Sequence, residues 1–371
     1  MPQLIKNASI LLHGKFQHDL SVYLDNQTIR AIGKDLRPEN ITPDQIIDLK
    51  GGYIVPRLID LQVYGTEGYY FGGDPSIANL AGMEKELMKQ GVGGFLATVA
   101  TNTDQLVMRA IESAKAYRSQ SRGAFLGLHL EGPFLNPAKK GAHPAELIRK
   151  ANLAEINQWL DKADGTIKMM TIAPELQDEA VLRTLRERGV TLSVGHSNAT
   201  YEQAMGFLNR DITTATHLFN AMPSLHHREP GLILAIFEKN AFSSIIPDGI
   251  HVSYPMLSLA KRELGEKLFL ITDAVASASE GVYQHQLKSD HYETPEGILS
   301  GSAISLLQGV RNCIRHAGVV PEAAFRMATS IPAAVIGLEK IRGEIAEGEQ
   351  AAFLCLDKNF ELLKDCLTFT A

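Results

Sequence analysis

The chain has 371 residues, 45% of them hydrophobic and 21% charged, with a formal net charge of -6 at pH 7. That length suits one large α/β domain with a small satellite, and the acidic balance excludes a nucleic-acid face, which needs a basic surface to neutralise phosphates. No apolar run reaches membrane-spanning length and the opening MPQLIKNASILLHGKF lacks a signal-peptide core, so a cytoplasmic protein without membrane contact is expected.

Up to residue 55 the pattern is of short strands broken by Gly, Asn and Asp: ASILLHGKF, SVYLDNQTIRAIG and QIIDLKGGYIVP. From Leu58 it becomes strand, loop and helix in repetition. Strands are predicted at 58–63, 94–99, 124–130, 167–173, 191–195, 213–218, 243–247 and 268–272. Helical patterns alternate with them, from GMEKELMKQG through AELIRKANLAEINQWLDK to AISLLQGVRNCIRHAG, several opening on a capping residue or Pro and closing on Gly or Lys/Arg. Eight such units predict a (β/α)8 TIM barrel over 56–335, since a doubly wound sheet would not need eight. The βα loop from Ala274 to Ser300 is unusually long and falls at the rim, where such loops cover substrates. In the tail, GEIAEGEQAAFLCLD reads as a Gly-punctuated strand pair. Its texture matches residues 1–55, so the two ends are predicted to form one small sheet domain, an independent C-terminal hairpin being the alternative. The three cysteines, Cys313, Cys355 and Cys366, lack metal-type spacing and read as ordinary thiols of a reducing compartment.

Catalytic residues of barrels sit at the C-terminal ends of strands. Glu131, His196, His217 and Asp273 close the third, fifth, sixth and eighth predicted strands. Singly, each has a plainer reading, as a hydrogen-bonding histidine or a capping or surface carboxylate. Together, a carboxylate and two imidazoles suit Zn²⁺ and leave a position for water; iron, cobalt or manganese would accept the same donors. Asp273 reads as the group that takes a proton from the attacking water and returns it to the leaving group, or else as a fourth ligand. His129, two residues before Glu131 and on the same face, is either a ligand or packing within the barrel. His143, in KKGAHP, would polarise a substrate carbonyl or is simply a loop histidine. Asn220 and Ala221 offer backbone N–H groups to phosphate oxygens at a strand-to-loop turn. Arg228 has the fork geometry that phosphate favours, and His251 faces the same task. His226 and His227 point in different directions and read as a solvated loop, while His13, His18, His285, His291 and His316 read as background.

The segments LHLEGPFLNPAKKGAH, GHSNAT, THLFNAM, REPG, PDGIH, TDA and LSGS, in order between about Val55 and Asp357, resemble the N-acetylglucosamine-6-phosphate deacetylase family of the amidohydrolase superfamily. The resemblance implies a barrel with a small β-sandwich built from residues 1–55 and 336–371, usually as a homodimer. It implies hydrolysis of the acetamide of N-acetyl-D-glucosamine 6-phosphate to acetate and glucosamine 6-phosphate. It also implies Glu131, His196 and His217 as metal ligands, Asp273 as acid/base and His143 as carbonyl polariser. Substrate contacts implied are Ala142, His143, Asn220, Ala221, Arg228, His251 and Leu299, Ser300 and Gly301, with one phosphate contact crossing between subunits. The chain departs from the family in three places. Where a His-x-His pair is common, it has Gln62 and Tyr64, which predicts one divalent metal, zinc by preference, with Gln62 near the substrate. Arg57 stands for a glycine, and Ala352 for a turn-stabilising aspartate. The alternatives are deacetylation of N-acetylgalactosamine 6-phosphate, another amidohydrolase acting on a cyclic amide, and, remotely, a non-catalytic scaffold.

Overall fold

Val92–Ala100 is a strand in which every residue is buried, as a closed parallel barrel requires: one face meets the interior and the other the surrounding helices. The computed structural model describes residues 2–39, 41–208, 210, 212–279, 281–339 and 343–363. Eight parallel strands run in sequence order around the barrel: Leu58–Val63, Val92–Ala100, Phe125–Glu131, Ile167–Ile172, Thr191–Val194, Thr214–Ala215, Phe242–Ile245 and Leu268–Leu270. Strand six is far shorter than predicted, because the backbone leaves the ladder before His217.

The helices pack as their periodicity dictates. In Asp104–Tyr117, Thr103 caps the first turn by accepting from Leu106 N, and Val107, Ala110, Ile111, Ala114 and Tyr117 form the buried stripe. The predicted helix AELIRKANLAEINQWLDK starts only at Leu153, since Asn152 is extended and caps there, accepting from Glu155 N. Its first residues, Ala145–Leu147, form a 3-10 turn instead.

The ladder between strands eight and one is replaced by side-chain and loop contacts. The buried Asp60 carboxylate accepts from Thr272 Oγ1 at 2.6 Å and from Thr272 N and Gln62 N at 3.2 Å each. Asp273 N then donates to Gln62 O at 3.0 Å, and Tyr64 N to Ala274 O at 2.9 Å. Closure therefore brings the ends of the first and last strands together at the rim.

Both chain ends meet in one five-stranded sheet, in the order Phe353–Leu356, Ile46–Pro56, Gln3–Leu12, Lys15–Asp25 and Thr28–Gly33. It has its own core, in which Ile5, Ile10, Val22, Leu24, Ile54 and Phe353 are fully or nearly fully buried. Of the predicted C-terminal strand pair, Phe353–Leu356 forms a strand, antiparallel to Ile46–Pro56, while the preceding segment makes turns with a single bridge from Gln350 to Thr28. Arg57, between this sheet and the barrel, is buried, and a Cβ on Gly93 would come within 2.5 Å of its Cβ, so the glycine at 93 makes room for it. Cys313 is a buried free thiol, whereas Cys355 is disulfide-bonded, which corrects the reading of Cys355 as an ordinary thiol. Cys366 lies outside the described residues, as do 340–342 and the rest of 364–371. Among the described residues no helix is long and apolar enough to cross a membrane. The long rim loop is not bare coil: Gln286–Leu287, His291–Glu293 and Leu299–Ser302 form a three-stranded antiparallel sheet over the barrel mouth.

Candidate active site

Glu131 ends strand three, and His196, His217 and Asp273 follow strands five, six and eight. The last three have φ of 48°, 36° and 54°, a left-handed conformation that non-glycine residues adopt at a cost of about 1–3 kcal/mol. The chain turns sharply at each of them, aiming the side chain over the barrel axis. Gly301 is needed beside them: at φ 154° its missing Cβ would sit 2.7 Å from Val275 Cγ1 and 3.0 Å from Asp273 O.

Three ligand atoms converge. Glu131 Oε1 lies 3.0 Å from His217 Nε2 and 3.4 Å from His196 Nε2, and the two Nε2 atoms are 3.1 Å apart. A tetrahedral ion with bonds of about 2.0–2.1 Å separates its ligands by about 3.3 Å, so this triangle fits a divalent metal. His196 Nδ1 donates to Lys139 O at 2.8 Å, which leaves the Nε2 lone pair for the pocket. Glu131, His143 and His196 also bring ligand atoms within 4.8 Å of one another. That set is looser, and His143 approaches the other carboxylate oxygen, Oε2, at 3.4 Å. The His217 triangle is therefore the better metal site, with His143 Nε2 directed to the pocket.

Burial opposes charge on Glu131, but the imidazoles of His143, His196 and His217 around it hold its carboxyl well below the usual range. Asp273, buried and beside the Glu131 charge, is pushed up to about 6. Its Oδ1 accepts from Gln62 Nε2 at 2.7 Å; the same amide reaches Glu131 Oε1 at 3.1 Å. His143 is lowered to about 4 by burial and by His196, so its ring is neutral, and Nδ1 pairs with Thr101 Oγ1 at 2.8 Å. His129 lies inside the barrel, with Nδ1 donating to Leu61 O at 2.9 Å and Nε2 pairing with Thr171 Oγ1 at 2.7 Å; both nitrogens are engaged away from the triangle.

Of the substrate-contact candidates, Ala142, His143, Asn220, Ala221, His251, Leu299 and Ser300 line one cavity of about 170 Å³ with the triangle and Asp273. Among the described residues, the buried Asn220 Nδ2 has no hydrogen-bond partner, a donor suited to a ligand oxygen. Phe219 and Ala221, at φ 79° and 50°, turn the backbone beside it. His251 Nδ1 is held by Asp248 Oδ2 at 2.5 Å. Gln62 lies beneath the cavity, bonded to both carboxylates, and is not in its lining. Gly301 lies one residue beyond the lining. Arg228 is exposed on the loop after His217 and outside the cavity of its own chain, as are His226 and His227.

Sequence reasoning missed an aromatic wall of Tyr64, Tyr70, Tyr283 and His285. His285, read as background, is buried, with Nε2 paired to Tyr70 OH at 2.9 Å and Nδ1 to Ser300 Oγ at 3.0 Å. Nothing local marks it, because the path of the rim sheet alone carries it inward. Tyr64 did have a signal: two residues past Gln62 and just beyond the end of strand one, it continues the same alternation and faces the same side.

Residues 53–369 match the family model described as Amidohydrolase family. The chain is similar to N-acetylglucosamine-6-phosphate deacetylase of Haemophilus influenzae, 30% identical over 93% of this chain and 92% of the relative. It is similar, also at 30%, to N-acetylgalactosamine-6-phosphate deacetylase of Escherichia coli, over 92% and 93% of the two chains. Among solved structures, N-acetylglucosamine-6-phosphate deacetylase of Pasteurella multocida superposes with a TM-score of 0.91 at 31% identity, covering 98% of this chain and 97% of the other.

Proposed function

Because the chain belongs to the amidohydrolase family, we propose that it hydrolyses the acetamide of N-acetyl-D-glucosamine 6-phosphate to acetate and D-glucosamine 6-phosphate, as a metal-dependent deacetylase. The observation that carries this reading is the Glu131–His196–His217 triangle with a raised-pKa carboxylate, Asp273, beside it. Glu131, His196 and His217 would hold one divalent metal, zinc by preference, which supplies Lewis acidity and lowers the pKa of water. Asp273 takes the proton of the attacking water and gives it to the departing amine; burial makes its carboxylate more basic than an exposed one, which favours the first transfer. His143, neutral and oriented by Thr101, donates from Nε2 to the acetyl oxygen as negative charge develops there. Gln62 keeps the Asp273 carboxylate oriented.

Asn220, Ala221 and His251 would bind the sugar phosphate at one end of the cavity, and Ala142, Leu299, Ser300 and Gly301 the sugar. Binding energy at the phosphate then orients the acetamide. The exposure of Arg228, with Leu225 47% and Ile250 38% exposed, supports a homodimer in which Arg228 reaches the neighbouring site. We take 1–55 and 336–371 as one small domain and 56–335 as the catalytic barrel, in a cytoplasmic enzyme. The galacto epimer is the second reading, because a relative named for it matches at the same identity. The test is acetate release from N-acetylglucosamine 6-phosphate, N-acetylgalactosamine 6-phosphate and their unphosphorylated forms, with metal per chain measured in parallel. A preference for unphosphorylated sugars, or turnover unaffected by removing the metal, would overturn the reading.

A further inference from the structure

The hydroxyl of Tyr64 has no task in the ligand set or the proton transfer described above. Its O–H donates to Glu131 Oε2, and its oxygen lies 3.0 Å from Gln62 Nε2, whose two N–H groups are shared among it, Asp273 Oδ1 and Glu131 Oε1. The ring is 6% exposed, packed with Ala100, Val275 and Tyr283, and the backbone N–H is held by Ala274 O at 2.9 Å, so the hydroxyl cannot swing away. The two oxygens of Glu131 thereby differ. Oε1 faces the nitrogens of His196 and His217, at 3.4 and 3.0 Å, while Oε2 meets the Tyr64 hydroxyl and, at 3.4 Å, His143 Nε2. The terminal torsion of a glutamate is broad and nearly two-fold, so an untethered carboxylate turns readily.

We propose that Tyr64 is a positioning residue: its hydroxyl, fastened between Gln62 and Glu131 Oε2, fixes the carboxylate with Oε1 presented to the metal. This rests on the reading of Glu131, His196 and His217 as the ligands. It also gives the tyrosine in the DLQVYG segment a function of its own, where the sequence suggested only a missing histidine.

The test uses the full chain, stripped of metal and reloaded with Co²⁺. The readouts are Co²⁺ affinity by competition with a chromophoric chelator, the visible absorption of the bound ion, and kcat and KM for acetate release. Tyr64→Phe removes the hydroxyl alone and should bind Co²⁺ about 10- to 100-fold more weakly, the usual effect of losing a group that orients a ligand. The visible band should change, and kcat should fall more than KM rises. A purely structural tyrosine would lower the unfolding temperature yet leave the affinity and spectrum of the folded protein as in the wild type, and that result overturns the proposal. Should Tyr64→Phe not fold, Tyr64→Met, which likewise lacks the hydroxyl, takes its place and should weaken Co²⁺ in the same direction; unchanged affinity there also overturns the proposal. If the wild type binds Co²⁺ but releases no acetate from the sugar phosphates, the substrate reading fails while the affinity comparison still decides the role of Tyr64.

Discussion

Asp273→Asn isolates proton transfer from every other feature of the site. Asn is among the residues that tolerate a left-handed backbone, so φ 54° is retained. Its amide oxygen can accept from Gln62 Nε2 where Asp273 Oδ1 does now at 2.7 Å, and its N–H still donates to Gln62 O at 3.0 Å. The strand-one clamp and the Glu131–His196–His217 triangle are therefore left in place, and only the basic oxygen is lost. Positioned acid–base groups contribute about a hundred- to ten-thousand-fold, so kcat should drop by that factor, about 2.7–5.4 kcal/mol of barrier. Burial sets the Asp273 carboxyl at about 6 and a bound cation draws it lower. Hence the acid limb of kcat/KM should lie at or below pH 6 in the wild type and vanish in the variant. The assay is acetate release across pH at saturating substrate for kcat and at substrate well below KM for kcat/KM, on protein whose metal per chain is measured. Near-normal turnover with full metal would refute the assignment. Lost metal would show instead that Asp273 serves mainly as a ligand.

The closing clamp of the barrel should carry its own pH signature. Burial raises Asp60 to about 7, so its contribution is fully present below about pH 4, the unfolded carboxyl pKa, and is lost as pH rises through 7. Asp60→Asn should flatten that decline in urea unfolding compared at pH 5 and pH 8; an unchanged slope would count against it. Glu84, buried on helix Ile77–Lys89, accepts from Ser121 Oγ at 2.6 Å, Tyr117 OH at 2.5 Å and the N–H groups of Arg122, Ala124 and Phe125 at 2.8–3.0 Å. Glu84→Ala strands these donors and should cost about 3 kcal/mol or more in chemical denaturation, with metal affinity unchanged. Arg228→Ala should chiefly raise KM for the phosphorylated sugar. If Arg228 acts on the neighbouring site, mixed dimers of Arg228→Ala with Asp273→Asn should contain one restored site, whereas additive loss places the contact within one chain.

The sequence alone determined the barrel and which side chains stand at its rim. Parallel strands buried on both faces must be apolar runs, helices carry their caps and buried stripes, and a strand that ends in Glu131 or Asp273 marks its own C-terminal edge. The family resemblance placed His143, Asn220 and His251 at one substrate site, and the βα loops of a barrel, which open on a single face, bring them to one cavity. Only the tertiary structure decided how these groups are oriented. The 3.0–3.4 Å triangle depends on left-handed turns at His196 and His217 that no pattern records. The exclusion of Arg228 from its own cavity depends on the course of a surface loop. The entry of His285 depends on how the rim sheet of residues 286–302 folds back over the mouth, bringing its ring to Tyr70, far away in the chain. Gln62 and Tyr64 show the division most sharply. In sequence they are two residues apart at the end of one strand, while in the fold barrel closure brings Asp273 within reach of Gln62, and Glu131 meets both Gln62 and Tyr64.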